Sequence, residues 1–299
     1  MVDRLTDPPA LGRVRAALLT WYGAAHRDFP WRRTSDPYAV LVSEVMLQQT
    51  QASRVAERFP RFLARFPTAS ALATAAESAV LEAWNGLGYN RRALALQRAA
   101  TAVVAHGWPT EIEDLERLPG IGPYTARAVA SLAFGRPVGV VDTNVRRWLV
   151  RRFGLSPMIA TPGLQRLADA LAAAGDPADA APWTHATMEF GAGICTSRAP
   201  RCLACPVAEG CPSRGAAVSV PVARQPRFAG SDRAMRGALL RALSAAPGHT
   251  LGRAAARRLV PAPHLQRILH ALEHDGLAHT SPGRLHLGGA AEPPATIGP

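Results

Sequence analysis

No lysine occurs anywhere in the 299 residues, so all 34 positive side chains are arginine. That absence excludes chemistry through a lysine Schiff base. With the abundance of Ala, Gly and Pro it also points to a G+C-rich coding bias, so the arginine count alone is not read as selection for binding. Long apolar runs are missing as well. No uncharged stretch nears the roughly 20 residues that a bilayer crossing needs. The N-terminus carries Asp3 early, its apolar stretch around 16–25 is short, and no signal peptide is evident. A soluble, cytoplasmic protein is expected. Cysteine is scarce: the four, Cys195, Cys202, Cys205 and Cys211, fall in one short segment. A disulfide framework would spread its staples along the chain, so the clustering reads as a metal site in a reducing compartment.

What is present suffices for a sizeable core, since 48% of the residues are hydrophobic. A formal charge of +12 should attract polyanions, with nucleic acid ahead of anionic membrane. Helical periodicity dominates up to the cysteines, and convincing alternating strands are missing there. Phe59, Phe62 and Phe66 with Leu72, Leu81 and Trp84 read as the buried faces of short helices, which predicts an all-α body. Residues 215–233, with Gly215, Pro221, Pro226 and Gly230, read as a linker. Beyond them, 234–288 shows three helical stretches and then two short strands around Ser281-Pro282-Gly283, a small α+β module resembling a winged helix. Such modules bind DNA or proteins, and the fold alone does not decide which. Six of the nine histidines lie in this module without ligand spacing and read as solvated; 289–299 reads as a disordered tail.

Four features carry chemistry. The cysteine spacing, C-x6-C-x2-C-x5-C, wraps a single site, and four thiolates suit either a [4Fe-4S] cluster or zinc in a structural or redox role. Leu118-Pro119-Gly120-Ile121-Gly122-Pro123-Tyr124 reads as a helix-hairpin-helix at 118–126. There Gly120 and Gly122 let backbone amides approach a phosphate without reading sequence. Twenty residues after Gly122, Asp142 stands between an apolar run and a helix start, where it reads as an N-cap or as a functional acid. The segment Ser43-Glu44-Val45-Met46-Leu47-Gln48-Gln49-Thr50-Gln51 puts a carboxylate on an otherwise apolar turn, followed by a polar cluster that could face bases.

Hairpin, downstream aspartate and cysteine spacing together resemble the iron-sulfur branch of the helix-hairpin-helix DNA glycosylase superfamily, from about Leu11 to Cys211. The segment 43–51 and Gly86-Leu87-Gly88-Tyr89 resemble, within that branch, the MutY-type adenine DNA glycosylases. The resemblance implies a [4Fe-4S] cluster on the four cysteines and two helical subdomains. A six-helix barrel, 37–135, would be inserted into an iron-sulfur subdomain made of 1–36 and 136–214, with double-stranded DNA carrying a mismatched adenine lying between them. It implies a bacterial, nucleoid-associated monomer with no membrane partner, whose C-terminal module offers a surface to other repair proteins. Where endonuclease III has its nucleophilic lysine, this chain has Tyr124, so a monofunctional enzyme that leaves an abasic site is expected.

By the same resemblance Glu44 would protonate adenine N7 and Asp142 would stabilise the oxocarbenium ion, as two carboxylates divide the work in glycoside hydrolysis. Burial against Leu47 and Trp31 would raise the pKa of Glu44. The adenine must leave the stack. Gln49 and Tyr89 would brace the gap, and Thr50 and Leu87 would touch the opposite base. Gln48 belongs to the same polar cluster, Asn144 and Tyr124 would support Asp142, and Trp31, Arg32 and Glu189 would surround the flipped base. The chain departs from the family at Thr143 and Asn90, where glycine and a second tyrosine are common. It also lacks the Phe-Ser-His element of a Nudix-like C-terminal domain, which leaves sensing of 8-oxoguanine opposite adenine, rather than guanine, without its usual seat. The alternatives are a relative acting on thymine or uracil opposite guanine, or a non-catalytic DNA-binding iron-sulfur protein.

Overall fold

The computed structural model describes residues 7–216, 220 and 227–289, and the chain falls into two compact units, 1–44 with 108–224 and 45–107 with 225–299. In the first unit, helix α1 (Pro8–Ala25) is opened by Asp7, whose carboxylate accepts from the Ala10 amide at 3.1 Å. Leu11, Val14 and Leu18, three and four apart, form its buried stripe. They join Trp148 and Leu149 of α9 (Thr143–Arg152), Leu164 and Leu171 of α10 (Thr161–Ala173), and Trp183 and Phe190 of α11 (Ala180–Gly193) in one core. Phe190 is met edge-on by Trp21 and Trp148, each with centroids 5.7 Å away. Such pairs add roughly 0.5–1.5 kcal/mol each beyond area burial.

Helices α7 (Ile112–Glu116) and α8 (Pro123–Leu132) form the hairpin. Gly120 sits at φ +78°, a left-handed turn that favours glycine, and Gly122 caps α8. The sequence division places this hairpin with the barrel, whereas compactness groups it with α11. The reason is visible in the buried Ser131 hydroxyl, which bonds Ala180 O at 3.1 Å and Thr184 Oγ1 at 2.7 Å.

Helix α2 (Pro37–Leu47) continues into the second unit, which holds α3 (Ala52–Arg65), α4 (Ala69–Ala73), α5 (Glu77–Ala83) and α6 (Arg91–His106). Residues 37–135 thus carry seven helical segments rather than six, because α4 and α7 are single turns. The expected core set is buried throughout, with Phe62 packed between Phe66 and Trp84 at centroid distances of 5.1 and 5.9 Å. Buried Gln97 donates to the carbonyls of Leu72 and Ala75, satisfying the end of α4.

The C-terminal module belongs to the same unit: α12 (Asp232–Ala245), β1 (Thr250–Gly252), α13 (Arg253–Leu259), α14 (Ala262–His274), β2 (Ala278–Ser281) and β3 (Arg284–Leu287). The three strands form an antiparallel sheet in the order β1-β3-β2, as a winged helix requires. Periodicity misses β1, which is three residues long. The module starts two residues before its expected boundary because Ser231 caps α12 through the Ala234 amide. Residues 217–219 and 221–226 of the expected linker and 290–299 of the expected tail lie outside the described residues. Gly289, expected in the tail, donates to Glu77 Oε2 at 2.8 Å. Two of the histidines expected in solvent, His279 and His286, are half-buried and stacked 4.7 Å apart, with His286 hydrogen-bonded to Thr250 and Ser281. No helix among the described residues is long and apolar enough to cross a membrane.

Candidate active site

Glu44 is the one acid of an otherwise apolar helix and is 3% exposed. Its Oε2 has no hydrogen-bond partner, an expense a fold rarely leaves in place without a use for it. Burial pushes the carboxyl up to about 7; a hydrogen bond from Tyr124 opposes that shift and the charge of Asp142 adds to it. A carboxylic acid at about 7 holds its proton for much of the physiological range and can donate it.

Asp142 is at once the N-cap and a candidate acid. Its Oδ1 accepts from the Val145 amide at 2.6 Å and its Oδ2 from Asn144 Nδ2 at 2.7 Å. The bland reading and the functional one therefore coexist: the cap fixes the carboxylate at a helix N-terminus, where negative charge is stabilised. Asn144 Oδ1 accepts in turn from Arg147, whose Nε donates to Cys195 O at 2.8 Å and which also bonds Gly191 O. A continuous polar chain thus runs from Asp142 to the first cysteine. A Cβ on Gly191 would come within 2.7 Å of Asn144 O, so glycine is what lets α11 approach α9 here.

Tyr124 departs from its expected place. It stands within the influence of both acids but gives its hydrogen bond to Glu44 rather than to Asp142, with its hydroxyl 3.8 Å from Met188 Sδ. Burial and the two carboxylates keep that hydroxyl protonated well above its ordinary range.

Of Trp31, Arg32 and Glu189, expected around the flipped base, Arg32 and Glu189 form an ion pair at 2.7 Å and Trp31 is the neighbour of Arg32 in the turn Pro30–Arg33. Trp31 is buried and stacked on Phe29 at 4.7 Å. Glu189 is buried, and although burial opposes its charge, hydrogen bonds from Arg27 Nε at 2.6 Å and Arg32 Nη2 at 2.7 Å carry its carboxyl below the usual range. Sequence reasoning missed Arg27, and also His185, which burial and the positive Arg32 push down to about 3, so that its ring is neutral.

In the second unit, the residues expected to meet DNA are organised by a side chain that no motif revealed. Arg92 donates to the carbonyls of Val45 (2.7 Å), Gln48 (2.5 Å) and Gly88 (3.0 Å) and to Thr50 Oγ1 (3.1 Å). It also lies 5.5 Å over the rings of both Trp84 and Tyr89. One guanidinium therefore ties the loop after α2 to the 86–89 loop. Gln49 and Tyr89 have φ of +54° and +47°, two of three non-glycine residues in the left-handed region among the described residues. Strain of this kind concentrates at functional loops. Leu87, by contrast, is 3% exposed, so its side chain is packed inside and not presented to a base.

The four cysteines are all half-buried and free of disulfides, and they line one open cavity together with Trp148 and Phe190. Arg151 approaches Cys195 Sγ at 3.6 Å. Among the described residues no three His, Cys, Asp or Glu groups converge on one ion.

Residues 42–171 match the HhH-GPD superfamily of base excision DNA repair proteins. An adenine DNA glycosylase of Mycobacterium tuberculosis is 45% identical over 77% of this chain and 78% of its own length. The chain belongs to the adenine DNA glycosylase family. The Mycolicibacterium smegmatis adenine DNA glycosylase, 42% identical, matches 92% of this chain and 96% of its own, so the similarity runs on past the cysteines into the C-terminal module. Among solved structures, a thermostable thymine-DNA glycosylase superposes with a TM-score of 0.64 at 29% identity over 70% of this chain and 99% of its own. The two acids, the hairpin and the cysteine loop thus sit within a glycosylase frame.

Proposed function

We propose that this glycosylase hydrolyses the N-glycosidic bond of adenine mispaired in duplex DNA, opposite 8-oxoguanine or guanine, and leaves an abasic site. The observation that carries the reading is the split between two carboxyl groups. Glu44 is buried with a raised pKa, and Asp142 is fixed at a helix N-terminus by two hydrogen bonds. Neutral Glu44 donates its proton to adenine N7, which makes the base a better leaving group. As the C1′–N9 bond breaks, Asp142 stabilises the positive charge on the sugar. Water adds at C1′, and the proton it releases restores Glu44. Tyr124 keeps Glu44 aimed, Asn144 does the same for Asp142, and the Glu189–Arg32 pair with Trp31 forms a wall for the extruded base. With no lysine in the chain, no Schiff base forms on one and the strand is left intact.

The protein holds DNA through backbone amides and arginines, with the hairpin amides at Gly120 and Gly122 donating to a phosphate. Gln49 and Tyr89 brace the vacated stack. The donor set at 195–211 consists of four thiols around an open cavity, a donor chemistry that fits a [4Fe-4S] cluster. Cys195, Cys202, Cys205 and Cys211 would hold it. When bound it supplies a structural clamp on this loop and, through Arg147, on the Asn144 that orients Asp142.

The test is base release from duplexes carrying adenine opposite 8-oxoguanine, guanine, cytosine or thymine, and uracil or thymine opposite guanine, with abasic sites revealed by alkali. Release of adenine is the expected result. Release of only thymine or uracil would move the chain to the pyrimidine-specific reading, which Glu44 disfavours because pyrimidines have no N7. Binding without release from any duplex would make it a DNA-binding protein alone.

A further inference from the structure

Helix α9 turns one face toward the cysteine loop. Trp148, Arg151 and Arg152, three and four residues apart, line the cavity ringed by Cys195, Cys202, Cys205 and Cys211. Arg151 brings a donor to sulfur directly, its Nη1 lying 3.6 Å from Cys195 Sγ. Trp148 is 1% exposed, and packing accounts for its ring: it meets Phe190 edge-on at 5.7 Å and belongs to the core against which Cys195 and Cys205 also lie. Packing does not account for its nitrogen. Nε1 is buried without a hydrogen-bond partner, and so is Nε of Arg152, so two of the seven such atoms among the described residues belong to side chains of this one wall. Buried indole N–H groups normally find an acceptor. A phenylalanine would supply the same apolar contacts and leave no donor over.

We infer that the Trp148 indole N–H donates a hydrogen bond to a sulfur of the cluster proposed for this cavity, and that it thereby raises the reduction potential of that cluster. This rests on the [4Fe-4S] reading of the four cysteines. Sulfides and thiolates carry negative charge, and reduction adds one electron to the group they belong to. A donor on one of them therefore stabilises the reduced form more than the oxidised one, and hydrogen bonds to the sulfurs are among the terms that set such potentials. Arg151 acts in the same direction through Cys195. The indole is the sharper place to test, because it is uncharged and its donor can be removed with little change to the local field. No redox partner is implied: the claim concerns the equilibrium between two charge states one electron apart.

The experiment uses the purified full chain without DNA. Its one-electron midpoint potential is measured by mediated titration at an electrode, with iron content, visible absorption and melting temperature followed in parallel. Trp148→Phe should keep its iron and move the oxidised-to-reduced ratio at fixed potential about fivefold toward oxidised, a midpoint lowered by roughly 40 mV. A chain carrying the benzothiophene isostere of tryptophan at 148 keeps the ring shape and lacks the N–H. It should show the same shift, and it decides the matter if phenylalanine loosens the core and the iron is lost. With the indole nitrogens isotopically labelled, electron–nuclear double resonance on the paramagnetic charge state should show a nitrogen coupling that both replacements abolish. An iron-free wild type would refute the cluster reading itself, and the inference with it. A loaded wild type with no indole coupling, or a loaded isostere chain with an unaltered potential, would overturn the inference alone.

Discussion

The two units hold their functional groups in opposite ways. In the first, polar chemistry is buried: Glu44 keeps an unpartnered oxygen and Glu189 is sealed under two arginines. In the second, the groups expected to meet DNA are exposed or half-exposed on loops, and what shapes them is a half-buried anchor, Arg92 beneath Gln48, Thr50 and Tyr89. One unit tunes protonation, which needs dryness. The other sets geometry, which needs strained backbone and a many-donor anchor.

Substitutions at each kind of site should therefore separate activity from stability in different directions, and the largest effect is expected at Glu44. Glu44→Gln should reduce adenine release by roughly 10³- to 10⁴-fold. Its stability effect has a definite sign. The folded pKa lies near 7 and the ordinary value is 4.5, so the native state binds the extra proton between those values and wild-type stability declines as pH rises through that window. The variant lacks this decline, so above pH 7 it should be the more stable protein, by roughly 3 kcal/mol at most, as thermal melts at pH 5 and 8 would show. A variant that is both inactive and equally destabilised at the two pH values would break the contrast.

Arg92→Ala comes next. It removes donors to six backbone carbonyls and one hydroxyl and should cost about 3 kcal/mol in stability and about a hundredfold in activity. Arg92→Lys should recover little of either, because an ammonium cannot reproduce the planar fork. Recovery by lysine would mean that charge alone is required. The smallest effect is at the strained loop. Gln49→Gly should raise stability by about 1 kcal/mol by relieving φ +54°, while lowering DNA affinity a few-fold, read from a denaturant melt and a binding isotherm.

What could be read from the sequence follows the same divide. The cysteine spacing, the hairpin and the helical core around Phe62 and Trp84 are local patterns, and the fold presents them as such. Glu44 and Asp142 stood out because each is an acid in apolar surroundings. Arg92 and Arg27 did not, since in a chain whose only strong cations are arginines no single one is conspicuous. Nor could periodicity place Arg233 against Tyr89, a contact across 144 residues. Leu87 illustrates the converse: a residue taken over from a motif whose side chain this fold keeps inside.

The measurement that bears most directly on the central claim is the pH dependence of single-turnover adenine release, with Asp142 intact. A proton donor held near 7 predicts a rate that is flat under mildly acidic conditions and falls about tenfold per pH unit above roughly pH 7, with that limb absent in Glu44→Gln. A rate that stays level to pH 9 in the wild type, or a limb that survives in the variant, would contradict the assignment of Glu44 as the acid.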